Sequence, residues 1–146
     1  DMALFKFAQG IMAEQAIPVY NHGDMVRDFT YIDDIVEGVV RVIDQPAQPN
    51  STWQDGDPAT SHAPYRIYNI GTHEKIALMH YIHILEQALG KKAMLDFLPM
   101  QPGDVPATQA DIHTLFAAVN YAPQTSVEQG VTQFANWFKD FYGHTG

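Results

Sequence analysis

The sequence contains no cysteine, so disulfide bonds and thiolate chemistry contribute nothing to its fold or function. Basic residues are also scarce, since 8 lysines and arginines against 17 aspartates and glutamates give a formal net charge of −9. This balance argues against binding to nucleic acid or to anionic membranes, because both need basic patches. No apolar run approaches the length of a membrane span and no signal peptide opens the chain. We therefore expect a cytoplasmic protein.

Several motifs of catalytic chemistry are missing as well. Neither G-x-G-x-x-G nor G-x-x-x-x-G-K-[ST] occurs, so this chain has no glycine-rich loop for a dinucleotide or a triphosphate. The G-x-S-x-G and H-E-x-x-H motifs are absent too. His80 and His83 form an H-x-x-H pair on a predicted helix, but no further zinc ligands are evident. We interpret them as surface or half-buried histidines.

The composition is that of a globular protein, and the order of its predicted elements indicates an α/β domain. With 146 residues, 46% of them hydrophobic and 12% aromatic, the chain is one domain by length and large enough to bury a core. Predicted helices alternate with strands that are too few and too short for a full doubly wound sheet. The predicted helices are 2–15, 34–44, 76–89, one from Asp111 to about Val119, and one that starts at the capping box Thr125–Glu128; the predicted strands are 18–21, a short segment around Arg27, 66–71 and 93–98.

A polar stretch from Pro46 to Pro64 is predicted to be a surface loop. Trp53 within it is either a local anchor or an exposed aromatic residue. At the other end of the chain, the sequence that begins at Asp1 has the pattern of a helix already under way. We interpret the chain as a fragment of a longer protein.

The segment 24–34 changes from an extended to a helical pattern. From Asp34 onward the apolar residues recur at the spacing of one helix face: Ile35, Val36, Val39, Val40 and Ile43. Asp33 or Asp34 is the expected N-cap, with Glu37 at the capping-box offset from Asp34. Arg27 should lie in a short extended segment just before this helix.

A guanidinium in that position suits a bidentate grip on phosphate or carboxylate. The alternative is an ion pair of Arg27 with Asp24 or Asp28 on the surface. Asp104, in Pro-Gly-Asp, has a similar alternative, because aspartate in a turn commonly bonds its own backbone. The residues alone support an acidic α/β domain with a candidate anion site at Arg27.

Four motifs in order give the chain a resemblance to a known family. They are Asp1-Met-Ala, Tyr-Asn-His-Gly-Asp-Met-Val-Arg-Asp-Phe-Thr-Tyr-Ile-Asp-Asp-Ile, Tyr-Asn-Ile-Gly and Met-Gln-Pro-Gly-Asp-Val. From residue 1 to about 142 the chain resembles the C-terminal, substrate-binding part of the extended short-chain dehydrogenase/reductase nucleotide-sugar epimerases. Within them it is most similar to UDP-glucuronate 4-epimerases.

The resemblance implies a two-part, homodimeric enzyme of carbohydrate metabolism and polysaccharide biosynthesis. An N-terminal Rossmann domain, outside this sequence, would bind NAD and supply the catalytic residues. The sugar 4-hydroxyl would be oxidised to a ketone and then reduced on the other face, which turns UDP-glucuronate into UDP-galacturonate. This chain has no Tyr-x-x-x-Lys motif. We therefore expect no catalytic residues here, no NAD bound by this part alone, and no activity without the Rossmann domain.

The resemblance also implies a role for individual residues in binding the UDP-sugar. Arg27 would bind the diphosphate and Asp104 would accept hydrogen bonds from the ribose hydroxyls. The further substrate-binding positions implied are Pro18 and Tyr20 at the uracil, Asn69 and Gln101 toward the phosphates, and the backbone of Met2 and Ala3 at a helix start. Many relatives have an arginine where this chain has Gln101, but glutamine also occurs there in the glucuronate branch.

Two other interpretations stay open. Within the same enzyme class, the chain could belong to a nucleotide-sugar 4,6-dehydratase or a UDP-hexosamine epimerase, because residues outside it would select the sugar. In a different class, it could be a stand-alone nucleotide-binding or interaction module. A glycine-rich β-α-β unit upstream in the same gene would favour the enzyme, and its absence would favour the module.

Overall fold

The computed structural model of the protein describes residues 3–143, and these residues form helices and a few short strands. The α-helices are α1 (Ala3–Met12), α2 (Ile32–Ile43), α3 (Leu78–Leu89), α4 (His113–Val119) and α5 (Val127–Tyr142). The strands are β1 (Ala16–Val19), β2 (Val26–Arg27), β3 (Ile76–Ala77) and β4 (Met94–Phe97), and a 3₁₀ turn spans Tyr20–Gly23. The predicted class, α/β with small mixed helices and short strands, is confirmed.

Contacts between residues group the described chain into two compact units, whereas its length predicted one domain. Unit 1 consists of residues 3–29, 74–108 and 126–143 and contains α1, α3, α5 and the four strands. Unit 2 consists of residues 30–73 and 109–125 and contains α2 and α4.

The core of unit 1 lies among α1, α3 and α5. Helix α3 buries Ile82, Leu85 and Leu89 on one face, which confirms the predicted helical spacing. It ends at Gly90, whose φ of 75° is one that glycine adopts without a steric cost. From α5, Phe138 is 1% exposed and packs edge-on against Phe5, with 5.6 Å between the ring centroids.

Helix α5 begins one residue later than its predicted capping box. The Ser126 hydroxyl accepts from the backbone N–H of Gln129 at 3.3 Å, and the Gln129 side chain accepts from the N–H of Ser126 at 3.2 Å. The predicted cap at Thr125 and Glu128 is therefore wrong by one position. The buried face of α5 consists of Val127, Val131, Ala135 and Phe138.

The strands of unit 1 form two separate pairs. β1 and β4 are parallel, in register from Ala16 opposite Met94 to Val19 opposite Phe97. β2 and β3 are antiparallel, with Arg27 opposite Ile76. The strand predicted at 18–21 instead begins at Ala16 and stops at Val19, because the chain turns into the 3₁₀ segment.

The strand predicted at 66–71 does not form. In this part of unit 2 the structure has an isolated bridge between Thr60 and Arg66, with the N–H of Ile67 donating to the carbonyl of Ala59 at 2.9 Å. An alternating sequence becomes a strand only where another strand pairs with it. Within residues 3–143 no ladder includes this segment, and Ile67 remains 49% exposed.

In unit 2, helix α2 begins at Ile32 with Tyr31 at the N-cap position, and Tyr31 makes no side-chain cap. Asp33 and Asp34 both lie within the first turn, so the prediction that one of them is the N-cap is wrong. Asp34 instead accepts from the Tyr121 hydroxyl at 2.9 Å and from the N–H of Thr125 at 3.0 Å. Asp34 thus ties α2 to the segment that follows α4.

The two sides of α2 differ in their surroundings. Gly38 is buried and lies so close to the Ile70 side chain, with Tyr121 beside it, that a Cβ there would require the Ile70 side chain to shift. The opposite side of α2 is apolar and exposed, and we call it the α2 face: Ile32, Val36, Val39, Val40 and Ile43 are 48–71% exposed. The apolar face predicted from the spacing exists, but it points to solvent.

The 46–64 stretch is a loop with its own internal hydrogen bonds. The indole N–H of Trp53 donates to the carbonyl of Asp57 at 3.0 Å, and the Asn50 amide donates to the Thr60 hydroxyl at 3.0 Å. Trp53 is therefore a local anchor. None of the helices within residues 3–143 has the length and apolar character needed to cross a membrane.

Candidate functional site

Arg27 lies where three segments of unit 1 meet. It ends β2, which pairs with β3 on one side. On the other side the N–H of Val26 donates to the carbonyl of Pro106 at 2.8 Å, and the N–H of Thr108 donates to the carbonyl of Val26 at 3.1 Å. The loop before Thr108 is thus fastened directly beside Arg27.

Arg27 and Asp104 form an ion pair across 77 residues of sequence. The distance from Arg27 Nη2 to Asp104 Oδ1 is 2.9 Å, and the two side chains are 24% and 35% exposed. Arg27 Nη1 also donates to the carbonyls of Val26 at 2.9 Å and Pro106 at 3.3 Å. These bonds fix the guanidinium in one orientation while part of it stays open to solvent.

The Asp104 loop contains a tight turn. The N–H of Asp104 donates to the carbonyl of Gln101 at 3.2 Å, and Gly103 has a φ of 84°, a conformation that favours glycine. The Asp104 carboxylate also accepts from the N–H of Val105 at 2.8 Å. Asp104 therefore accepts from the neighbouring backbone, as an aspartate in a turn commonly does, and accepts from Arg27 at the same time.

Pro18 and Tyr20 belong to the same unit as this ion pair. Pro18 is exposed in β1, and Tyr20 is half-buried at the start of the 3₁₀ turn. The N–H of His22 donates to the carbonyl of Leu98 at 3.0 Å, and the N–H of Leu98 donates to the carbonyl of Val19 at 2.9 Å. These bonds tie the beginning of the 98–108 segment to the turn that contains Tyr20.

Unit 1 thus contains six of the eight predicted substrate-binding residues: Ala3, Pro18, Tyr20, Arg27, Gln101 and Asp104. Ala3 is exposed as the first residue of α1, and Gln101 is exposed in its loop. Asn69 belongs to unit 2. Met2 lies outside the described residues.

One aromatic pair beside the site did not emerge from the sequence. The Phe29 ring, two residues after Arg27, stacks on Tyr81 of α3 with 3.8 Å between the centroids and 4° between the planes. Burial raises the pKa of Tyr81, so the phenol is neutral at physiological pH. The pair anchors the chain after β2 to the core. In the sequence Phe29 is only one of the β-favouring residues around Arg27, and nothing there indicates its stack with Tyr81.

Metal or dinucleotide binding finds little support in these residues. Across residues 3–143 no group of three or more histidine, aspartate or glutamate side chains is arranged to hold a metal ion. The distance from His80 Nε2 to Glu128 Oε1 is 3.5 Å, and that from His83 Nδ1 to Glu86 Oε2 is also 3.5 Å. The side chains of the two histidines are exposed. A dinucleotide pyrophosphate needs a glycine-rich turn from a strand into a helix, whereas β1 leads into a 3₁₀ turn with Asn21 and His22 at positive φ.

Solved structures share this fold. A UDP-glucuronic acid 4-epimerase from Bacillus cereus, in complex with UDP-glucuronic acid and NAD, matches with a TM-score of 0.77 and 27% identity over 97% of this chain and 41% of that chain. An epimerase from Methanothermobacter thermautotrophicus matches with a TM-score of 0.81 and 19% identity, over 99% of this chain and 39% of that chain. The fold is that of part of an extended short-chain dehydrogenase/reductase epimerase.

The sequence comparisons define the family. A family model described as GDP-mannose 4,6 dehydratase matches residues 3–134, and the chain belongs to this family. Protein CapI of Staphylococcus aureus is 47% identical over 144 residues, which are 97% of this chain and 43% of CapI. A probable UDP-glucuronate 4-epimerase of Rhizobium meliloti is 41% identical over 145 residues, 97% of this chain and 42% of the relative. The chain therefore spans about two fifths of the length of these relatives.

Proposed function

We propose that this chain is the UDP-sugar-binding part of an NAD-dependent nucleotide-sugar epimerase that interconverts UDP-glucuronate and UDP-galacturonate. The observation that supports it most is the Arg27–Asp104 pair, which joins one residue expected at the diphosphate to one expected at the ribose. The Bacillus cereus structure, whose protein binds UDP-glucuronic acid and NAD, supports the choice of ligand.

The pair suits a nucleoside diphosphate for a chemical reason. A guanidinium presents two N–H groups in a plane, which match two phosphate oxygens, and it stays charged at all physiological pH values. An ionised carboxylate only accepts, so it suits ribose hydroxyls rather than phosphate. When the ligand binds, the ion pair between Arg27 and Asp104 would open. Arg27 would then bind the diphosphate, and Asp104 would accept hydrogen bonds from the ribose hydroxyls.

The net charge of −9 makes Arg27 all the more necessary. An acidic protein repels a diphosphate at long range, so affinity must come from local donors. Gln101, in the same turn as Asp104, offers an amide donor but no charge. Arg27 would therefore supply most of the side-chain charge that offsets the diphosphate within unit 1.

Loss of the Arg27 guanidinium should strongly weaken UDP binding. We expect Arg27→Ala to raise the Kd for UDP by about 10- to 100-fold, because hydrogen bonds to charged groups contribute about 1.5–3 kcal/mol each. Isothermal titration calorimetry with UDP on this chain, or on an enzyme assembled around it, measures the change. Arg66→Ala is the matched control, since Arg66 is an exposed arginine in unit 2. Equal Kd values for wild type and Arg27→Ala would exclude the assigned site.

Asp104→Asn separates the ribose role from the phosphate role in the same titration. The wild type should prefer UDP over 2′-deoxy-UDP, because Asp104 would lose a donor in the deoxy ligand. In Asp104→Asn the ratio of the Kd for 2′-deoxy-UDP to the Kd for UDP should fall toward one, because a neutral amide oxygen accepts more weakly than a carboxylate. A preference that is unchanged in the variant would show that Asp104 acts only in the turn.

A 4,6-dehydratase is the second candidate, and the description of the matching family favours it. Both enzymes would use the same diphosphate site, so Arg27 does not distinguish them. To distinguish them, an enzyme containing this chain is incubated with NAD and either UDP-glucuronate or a GDP- or UDP-hexose, and the mass of the product is measured. Epimerisation leaves the mass of the sugar nucleotide unchanged, whereas dehydration removes one water.

A further inference from the structure

The guanidinium of Arg27 already holds an anion of the protein itself. Arg27 Nη1 donates to the carbonyls of Val26 at 2.9 Å and Pro106 at 3.3 Å, so main-chain atoms of two segments fix the group in place. Nη2 donates to the carboxylate of Asp104 at 2.9 Å. An anion that approaches the Nη2 edge of Arg27 therefore meets a position that Asp104 occupies.

The Asp104 carboxylate is positioned by its own turn as well as by Arg27. Its Oδ1 atom accepts both from Arg27 Nη2 at 2.9 Å and from the N–H of Val105 at 2.8 Å. The N–H of Asp104 donates to the carbonyl of Gln101 at 3.2 Å, which closes the turn. The two side chains are 24% and 35% exposed, so water screens the ion pair only in part.

We infer that Asp104 competes with entering anions for Arg27, and that this competition makes the site select nucleoside diphosphates over free phosphate anions. The inference rests on the proposed function, in which Arg27 binds the diphosphate and Asp104 the ribose. It adds a second task for Asp104, which is to exclude ligands that carry the phosphates without the nucleoside.

The selection follows from what each ligand gives back to Asp104. An inorganic anion that displaces the carboxylate from Nη2 leaves Asp104 without its cation and beside a second negative charge, which is unfavourable. A nucleoside diphosphate brings ribose hydroxyls, and these donate to the carboxylate in place of the guanidinium. Opening the ion pair therefore costs less free energy for a ligand that carries both groups, and specificity arises from the penalty on the others.

Titration with pyrophosphate and with UDP tests the competition. The Kd of each ligand is measured by calorimetry for wild type and for Asp104→Asn, on this chain or on an enzyme that contains it. Asparagine keeps the shape of the side chain and an acceptor oxygen for the turn, but it carries no charge. We expect pyrophosphate to bind the variant at least about fivefold more tightly than wild type, and UDP no more tightly. A smaller gain for pyrophosphate, or any gain for UDP, would overturn the inference.

Asp140→Asn is the matched control for the change in net charge. Asp140 is an exposed aspartate of α5 in unit 1, so its substitution also removes one negative charge from that unit. Screening by salt makes a distant surface charge matter little, and we expect neither Kd to change by more than about twofold. Equal gains in pyrophosphate binding from Asp140→Asn and Asp104→Asn would mean that net charge limits anion binding, which contradicts the inference.

Modification of arginine by phenylglyoxal tests the ion pair without any ligand. The reagent attacks the neutral guanidine, and a neighbouring carboxylate disfavours that form, so the rate constant at Arg27 should rise at least about threefold in Asp104→Asn. Peptide masses identify the modified residue. Arg66, exposed in unit 2, is the internal reference and should react equally in both proteins. Equal rates at Arg27 would overturn the inference even if pyrophosphate binds neither protein.

Failure of this inference differs from failure of the proposed function. If Arg27→Ala leaves the Kd for UDP unchanged, the UDP site itself is misplaced. If Arg27→Ala weakens UDP binding but Asp104→Asn does not tighten pyrophosphate binding, the UDP site stands and Asp104 does not compete for Arg27.

Discussion

Replacement of Phe138 by alanine should lower the free energy of unfolding of unit 1 by about 3–5 kcal/mol. Phe138 is 1% exposed in α5 and contacts the rings of Phe5, Phe134 and Tyr142, with centroid distances of 5.6, 5.7 and 4.8 Å. The substitution removes the buried ring, leaves a cavity between α1 and α5, and loses the edge-on contact with Phe5 and the tilted contacts with Phe134 and Tyr142. Since small domains are stable by only about 5–15 kcal/mol, we expect partial unfolding at room temperature.

Phe141→Ala is the matched control for this prediction. It removes the same side chain from the same helix, one turn later, but Phe141 is 67% exposed and stacks only at the surface against Trp137, at 5.3 Å, and near Tyr142. We expect a loss of less than about 1 kcal/mol. Urea denaturation followed by circular dichroism compares the two variants. Equal losses would mean that Phe138 does not lie in the core described for unit 1.

Asp34→Ala should destabilise unit 2 by about 2–3 kcal/mol, because hydrogen bonds to charged groups are among the stronger ones and two donors lose their acceptor. The donors are the hydroxyl of Tyr121 and the N–H of Thr125. Asp33→Ala is the control, since it removes an exposed carboxylate from the same helical turn. Chemical denaturation should separate the two variants, and similar midpoints would contradict the role of Asp34.

The same carboxylate should make stability depend on pH at the acid end. Burial alone would raise the pKa of Asp34, but the hydrogen bonds from Thr125 and Tyr121 outweigh it and lower the pKa below its ordinary value. Burial, together with the bond to Asp34, raises the pKa of Tyr121 to about 12, so the phenol remains a donor. The stabilisation is therefore complete above the unfolded value of about 3.9 and disappears as the pH falls through the lower folded value. Asp34→Ala should show a shallower loss of stability below about pH 4.

Local patterns predicted those parts of the fold that local chemistry determines. The helical spacing of Ile82, Leu85 and Leu89 and the glycine that follows them located α3, because a buried helix face and its C-cap are both set within a few residues. The cap of α5 was placed one position early because Thr125-Glu128 and Ser126-Gln129 both satisfy the capping-box pattern. Only the three-dimensional position of the backbone distinguishes them.

Features that depend on contacts between distant residues could not be predicted from local sequence patterns. Asp34 has a carboxylate at a helix start, which indicates a cap, yet its partners are 87 and 91 residues away. The segment at 66–71 has the alternation of a strand, but alternation does not provide a partner. For α2 the spacing identified the apolar face correctly, whereas nothing in the spacing states which surface covers it.

The candidate site shows the same division. The extended position of Arg27 was predicted and confirmed, because β-favouring residues surround it. Its pairing with Asp104 was not predicted: the family resemblance placed both residues at one nucleotide, and no rule of local sequence joins residues 77 positions apart. The roles of all eight residues at the nucleotide stay predictions: Arg27, Asp104, Pro18, Tyr20, Asn69, Gln101, Met2 and Ala3. The carbonyl of Pro106, which helps to orient the guanidinium, has no sequence signal.

The interleaving of the two units also has a consequence for biosynthesis. The chain passes from one unit to the other at 29/30, 73/74, 108/109 and 125/126, and α5 enters last. Because Phe5 of α1 packs against Phe138 of α5, α1 leaves the ribosome well before this partner in the core is synthesised. At about 5–20 residues per second, that interval lasts several seconds. During that interval the nascent chain exposes the part of α1 that later packs against α5, which makes it a candidate client for chaperones at the ribosome.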